Sequence, residues 1–204
     1  EAGSGLGEDY RFMQVYFKPY PCCRWLHAPV YAILRLMREH GITRDMIEKI
    51  EIGGPEFAMM YDTRSGYESK VTCQYSIPYS VGAAAFFGKL GLEEFEDSAR
   101  SSPELRDFID RIHIHIDEEL QEKFPAVFGV RLRLVLTDDR EFTLLQGTPW
   151  GPDAPASQDE LLEKFRMLTD GVLTPGQQDA WERLYRDGFE SEGAFDKLLQ
   201  LTGA

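Results

Sequence analysis

The longest regular pattern in the chain begins just after a pair of prolines. From about Cys23 to His40, apolar side chains recur at Leu26, Val30, Leu34 and Met37, flanked by Ala32 and Ile33. That is the spacing of one buried helix face. Gly41 suits the left-handed position that ends a helix and sets the predicted terminus. Upstream, Phe12 to Phe17 reads as a short apolar strand leading into the proline loop. Downstream, Thr43, Asp45 and Glu48 predict a helical turn, and Lys49-Ile50-Glu51-Ile52 alternates in strand fashion until Gly53-Gly54 breaks it.

Residues 55–72 have no clean period and read as an irregular loop, anchored by Met59, Met60, Tyr61 and Tyr67; so long a loop points to function. A second, more apolar helix starts at Pro78, with Ile77 held extended before it and Gly82-Ala83-Ala84-Ala85 permitting close packing. Leu92–Ala99 predicts a short acidic helix. Ser102-Pro103-Glu104-Leu105 opens another, with Leu105, Phe108 and Ile109 turned inward.

Strand patterns dominate next. Ile112-His113-Ile114-His115-Ile116 alternates strictly, placing both histidines on one face. Val130–Leu136 alternates apolar residues with arginine, turns at Asp138-Asp139 and returns along Glu141–Leu145, a β-hairpin with one wet face. A proline-rich connection over 147–156 follows, and from Ser157 the pattern is wholly helical. Ser157 with Glu160 forms a capping box before Leu161, Phe165 and Leu168. Thr174, Pro175 and Gln177 cap a helix carrying Trp181, Leu184 and Tyr185, and Ser191 opens a third with Phe195, Leu198 and Leu199. The reading is a linker over 1–7, an α+β domain with a small antiparallel sheet over 8–152, and a helical segment over 153–204.

Composition narrows the functional classes. The net charge of −13 over 204 residues argues against nucleic acid and anionic membrane surfaces, which demand clustered Lys and Arg. No apolar run reaches the length that spans a bilayer. Three cysteines, two of them adjacent, make a poor disulfide framework, so a reducing cytoplasm is the expected setting. The chain opens on Glu1-Ala2-Gly3-Ser4-Gly5 without methionine, which reads as a flexible linker and marks the sequence as the C-terminal part of a longer protein. Walker, zinc-finger, HExxH and GxSxG patterns are absent from the sequence.

Candidate chemistry concentrates between Phe17 and His27. Pro19 and Pro21 stiffen the loop, so Lys18 sits on a rigid connection and His27 on the first turns of the helix it feeds. Rigid placement of a cation beside an imidazole is what acid–base chemistry on an anionic substrate requires. Cys22 and Cys23 read as packed thiols rather than nucleophiles. Gln74 and Ser76 precede the positive end of the Pro78 helix, where they either receive a carboxylate or cap the helix. His113 and His115 could chelate a metal, but no third ligand is close in sequence, so a solvated or dimer-facing strand surface is expected instead. A metal site from Cys22, Cys23 and His27 is a further alternative.

The block Lys18-Pro19-Tyr20-Pro21-Cys22-Cys23 with His27 resembles the MmgE/PrpD family. So do, in the same order, Gln74-Tyr75-Ser76-Ile77-Pro78-Tyr79, Asp138-Asp139-Arg140, and Ser157-Gln158-Asp159-Glu160-Leu161 with Lys164-Phe165. The resemblance covers nearly the whole chain. It implies dehydration, decarboxylation or epimerisation of small di- and tricarboxylates, as in 2-methylcitrate dehydratase, cis-aconitate decarboxylase and iminodisuccinate epimerase, through a carbanion next to a carboxylate. It also implies a large N-terminal helical domain on the same polypeptide, a chorismate-mutase-like smaller domain, a cleft between them, a homodimer, and no metal or organic cofactor. Carried onto this chain, it makes Lys18 a cleft lysine and His27 an acid–base group or a group that orients one. Apart from the resemblance, Arg24 is a candidate second carboxylate contact, or, on a helix, a residue that points to solvent. Cys23 stands where the decarboxylase branch carries a histidine, with Gln74 and Ser76 beside the substrate. The alternative is a non-catalytic domain that binds a small carboxylate or mediates dimerisation.

Overall fold

The computed structural model describes residues 15–151 and 154–187, together with the isolated positions 5, 7, 193, 196 and 199. The chain divides into two compact units, 1–155 and 156–204.

The first unit is built on four strands: β1 (Ile47–Gly54), β2 (Ile112–Ile116), β3 (Gly129–Leu136) and β4 (Glu141–Gly147), in the order β2-β1-β3-β4. The hairpin forms as the alternation predicts, with Leu132 opposite Leu144 and Leu134 opposite Phe142. Asp139 takes the left-handed conformation at its tip, φ +65°. The sheet is not purely antiparallel, however. β2 runs parallel to β1, pairing Ile50 with Ile112 and Ile52 with Ile114. Parallel partners need a long crossover, and the whole stretch 55–111 supplies it. β1 also continues through Gly53 and Gly54, because a side chain at Gly53 would lie 3.0 Å from the His115 Nε2 and 3.1 Å from the Asp117 Cβ. Glycine here marks close approach across the sheet and does not end the strand.

Helices cover the apolar face. A 3₁₀ turn (Arg24–Leu26) leads into α1 (His27–His40), which ends at Gly41 in the left-handed conformation. Between β1 and β2 come α2 (Lys70–Gln74), α3 (Ile77–Phe87), α4 (Asp97–Arg100) and α5 (Pro103–Ile109), and α6 (Glu118–Lys123) precedes β3. The stretch 55–72 is more ordered than its sequence implies, with a 3₁₀ helix at Glu56–Tyr61 before α2. Leu26 of the 3₁₀ turn and Val30 and Ile33 of α1 meet Ile50, Ile52, Leu132 and Leu134 of the sheet in one core. α3 is buried nearly throughout. Its Gly82 lies where a Cβ would come within 2.6 Å of Ile109.

The outer sheet face is a lattice of ion pairs. Arg133 binds Glu51 and Glu141, and Arg131 binds Asp117 at 2.7 Å and Glu119 at 2.6 Å. Of the predicted strand at Phe12–Phe17, residues 12–14 lie outside the described residues and Val15–Phe17 form no strand.

In the second unit, α7 (Gln158–Thr169) and α8 (Pro175–Arg186) each begin with the capping box predicted, Ser157 with Glu160 and Thr174 with Gln177. They pack through Phe165 and Trp181, and Arg166 pairs with Asp179 and Glu182. Of the helix expected from Ser191, Asp196 and Leu199 are helical, and Ser191, Phe195 and Leu198 lie outside the described residues. Among the described residues no helix is long and apolar enough to cross a membrane.

Candidate active site

The proline loop is held at both ends of its turn. The Gln74 side chain donates from Nε2 to the Pro21 carbonyl at 2.8 Å, and the Cys23 amide donates back to the Gln74 carbonyl at 2.8 Å. Between these braces the Cys22 carbonyl receives two side chains. Lys18 Nζ donates to it at 3.2 Å and His27 Nε2 lies 3.3 Å away. A carbonyl only accepts, so this contact places the imidazole proton on Nε2. Tyr20 packs edge-on against the His27 ring, centroids 5.8 Å apart. Lys18 is exposed, whereas His27 is wholly buried. The sequence therefore places the cation and the imidazole together, but on opposite sides of the solvent boundary of this chain.

The two cysteines part company. Cys22 is buried, and burial, with Cys23 beside it, pushes its thiol up to about 12; Lys18 and a hydrogen bond with Ser80 pull the other way. Cys23 is half-buried and meets the Tyr61 hydroxyl. Burial first, and then the charge and hydrogen bond of Cys23, push Tyr61 up to about 12. All three cysteines are free thiols. Among the described residues no three His, Cys, Asp or Glu side chains gather closely enough to hold a metal, and this includes the Cys22, Cys23 and His27 set.

Ser76 caps α3: its Oγ accepts from the Tyr79 amide at 3.1 Å and donates to the Thr63 carbonyl at 2.6 Å, fully buried. Both its lone pair and its proton are thus engaged within the fold. Gln74 likewise spends its carboxamide N–H on Pro21. At that helix start Ser76 makes the cap, while Gln74 braces the proline loop.

Arg24 points elsewhere. It lies over the Tyr16 ring, 3.7 Å from the centroid, and its Nη1 is buried without a hydrogen-bond partner among the described residues. With Trp25, Phe57, Tyr61, Phe128 and Thr148 it lines a cavity of about 270 Å³. Trp25 stands 4.5 Å from Phe57 and 3.7 Å from Phe128, centroid to centroid. Of the six residues singled out from the sequence, only Arg24 lines this cavity. The aromatic walls come from segments about thirty and seventy residues apart, brought together where the β1 and β3 ends meet the start of α1, and no local pattern announces them.

Comparison with known proteins accords with this architecture. Residues 20–187 match the MmgE/PrpD C-terminal domain. The chain is 23% identical over 182 residues to a cis-aconitate decarboxylase of Aspergillus terreus, covering 84% of this chain and 37% of that protein. It is 25% identical over 186 residues to a cis-aconitate decarboxylase-like protein of Aspergillus oryzae, covering 85% and 37%. The chain therefore spans little more than a third of the length of these relatives, and it belongs to the MmgE/PrpD family, matching its C-terminal domain.

Proposed function

We propose that this chain forms one wall of the active-site cleft of a lyase or isomerase acting on a small di- or tricarboxylate. The reaction removes a proton from carbon next to a carboxylate, and the electron pair left behind spreads into that carboxylate. Lys18 meets this developing charge as a fixed cation, an interaction stronger in the transition state than in the ground state. The base that takes the proton, and the opposite wall, come from an N-terminal helical domain of the same polypeptide, which works as a homodimer. The observation that carries the reading is the shared acceptor: Lys18 and His27 converge on the Cys22 carbonyl, on a loop braced by Gln74.

In this reading His27 is a positioning residue. Its buried imidazole fixes the Cys22 carbonyl, which in turn fixes the ammonium; Cys23 lies at the cleft wall beside Tyr61. The test is made in the full-length parent enzyme. Lys18→Ala lowers kcat/KM by about a hundredfold, the loss typical of one charge-stabilising donor. His27→Ala lowers it as well, and His27→Asn, which keeps an N–H, restores part of the rate without moving the pH profile. Near wild-type turnover in Lys18→Ala, or a pH limb abolished by His27→Asn, refutes the assignment. The burial of His27 and Ser76 also favours a second reading, a carboxylate-binding domain without chemistry. Turnover by this chain alone is the result that reading does not survive.

A further inference from the structure

Of the two edges of the sheet, β2 is capped and β4 is open. At β2 the Arg64 side chain donates from Nη2 to the Ile112 carbonyl at 2.9 Å. What β4 offers follows from its hairpin. The Leu136 amide donates to the Arg140 carbonyl at 2.9 Å, and bonded pairs alternate along an antiparallel ladder. Phe142, Leu144 and Gln146 therefore turn their main-chain groups towards β3, and Glu141, Thr143 and Leu145 turn theirs away. Among the described residues none of these outward main-chain groups has a hydrogen-bond partner. The edge also lacks its usual protections: Glu141–Gly147 contains no proline and no lysine, it pairs with β3 without a bulge, and Leu145 stands 53% exposed on it.

The pattern of β4 selects its partner, because the strand complements itself. A two-fold axis can set Thr143 opposite Thr143 of a second copy, with Glu141 opposite Leu145 of that copy, so that only outward-facing groups bond across the seam. On the inner face Phe142 then falls beside Leu144 of the second copy. The apolar row from Leu134 to Phe142 continues across the seam, and aromatic–aliphatic cross-strand pairs are stabilising. On the outer face Arg131 lies beside Leu145, so Glu141 stands two strand spacings, about 10 Å, from Arg131 of the second copy. Opposite charges thus flank each exposed leucine. Centring the axis on Leu144 would put Phe142 against Gln146 and lose both matches.

We propose that β4 is a pairing edge for a second copy of this chain, the two strands running antiparallel about Thr143 and joining the two sheets into one. This gives the homodimer of the proposed function a surface and rests on that reading for the presence of two copies. The measurement involves no turnover, so its failure leaves the chemistry of Lys18 as it stands, and failure of that chemistry leaves the seam.

The experiment is sedimentation velocity of the 204-residue chain from about 5 to about 500 µM. So short a seam is a small interface, and a reversible dimer with a dissociation constant on the order of 50 µM is expected. Thr143→Pro removes the N–H at the two-fold centre, and an edge strand tolerates proline where that N–H faces outward; this variant should keep its circular dichroism and stay monomeric. Leu145→Lys, an exposed edge lysine, is the second variant should the proline disturb the fold, and should weaken the dimer by about tenfold or more. The register is read by oxidation with copper phenanthroline, the unsubstituted chain setting the background of native thiols. Facing residues of a bonded pair lie about 5.5 Å apart between Cα atoms, within the roughly 4.4–6.8 Å that a disulfide spans. Thr143→Cys should therefore form covalent dimers about tenfold faster than Glu141→Cys. The proposal is overturned if the chain is monomeric throughout, if the dimer is as tight in folded Thr143→Pro or in Leu145→Lys, or if both cysteine variants cross-link at the same rate.

Discussion

Gln74→Ala tests whether the loop carrying Lys18 is held by the chain itself. The substitution removes the 2.8 Å bond from Nε2 to the Pro21 carbonyl and leaves the backbone bond from Cys23 to residue 74 formally intact. A neutral hydrogen bond contributes about 1 kcal/mol net, and a stranded acceptor costs about 1–3 kcal/mol if water cannot reach it. Pro21 and Gln74 are both half-buried, so water replaces part of the loss. Fixing the wild-type glutamine also costs rotamer entropy of up to about 2 kcal/mol, which alanine does not bear. The net expectation is a loss of about 1 kcal/mol, concentrated in the loop. Amide hydrogen exchange reads this directly. The Cys23 amide should exchange about fivefold faster, since about 1.4 kcal/mol corresponds to tenfold. The Ile50 amide, which donates to the Arg111 carbonyl at 3.0 Å in the core, should not change. Unchanged exchange at Cys23, joined to a raised KM in the parent enzyme, would refute the bracing role and make Gln74 a substrate contact.

Two further measurements test packing and burial. Gly82→Ala places a Cβ 2.6 Å from the Ile109 Cγ1 and 3.3 Å from the Ile112 Cδ1; overpacking at about 1–3 kcal/mol outweighs a helix-propensity gain of about 1 kcal/mol, so the urea midpoint should fall, and a rise would show that α3 and α5 part freely. Cys22 gives a pH dependence of definite sign: its thiol ionises at the ordinary 9.0 when unfolded but at about 12 when folded. The native state thus holds the extra proton between those values, and the stabilisation present below pH 9 is lost as pH rises through that window, at up to about 1.4 kcal/mol per unit. Urea titrations from pH 8 to 10 should show a steeper decline than in Cys22→Ala. Equal slopes would refute the burial argument.

The fold was most legible where periodicity is local. The hairpin from Val130 to Leu145 carries its pairing in alternation and its turn in Asp138-Asp139, and α7 and α8 announce their starts through residue pairs three apart. What escaped was long-range. Ile112–Ile116 reads equally well as a parallel or an antiparallel strand, because alternation fixes which face a side chain takes and not which neighbour the strand joins. Gly53-Gly54 looked like a breaker because the reason for glycine, the approach of His115 and Asp117, lies about sixty residues ahead. The site divides along the same line. Lys18, Cys22 and His27 lie close in sequence, on the proline loop and the first residue of the helix that follows it. The cavity of Trp25, Phe57 and Phe128 exists only once the sheet has brought their segments together.

The adjacent cysteines show how a local motif can be legible and still be misread as a unit. Cys23 has polyproline-like dihedrals, φ −57° and ψ 138°, just before the 3₁₀ turn, and in backbone with about three residues per turn adjacent side chains point in well-separated directions. Cys22 goes inward beside Ser80, where burial suppresses the thiolate; Cys23 goes towards Tyr61. The inward residue still serves the site, through its backbone: burying its side chain turns its carbonyl to where Lys18 and His27 both reach it. The pair thus differs in what each residue touches, so a substitution at Cys22 should be felt as loop stability and one at Cys23 as a change beside Tyr61.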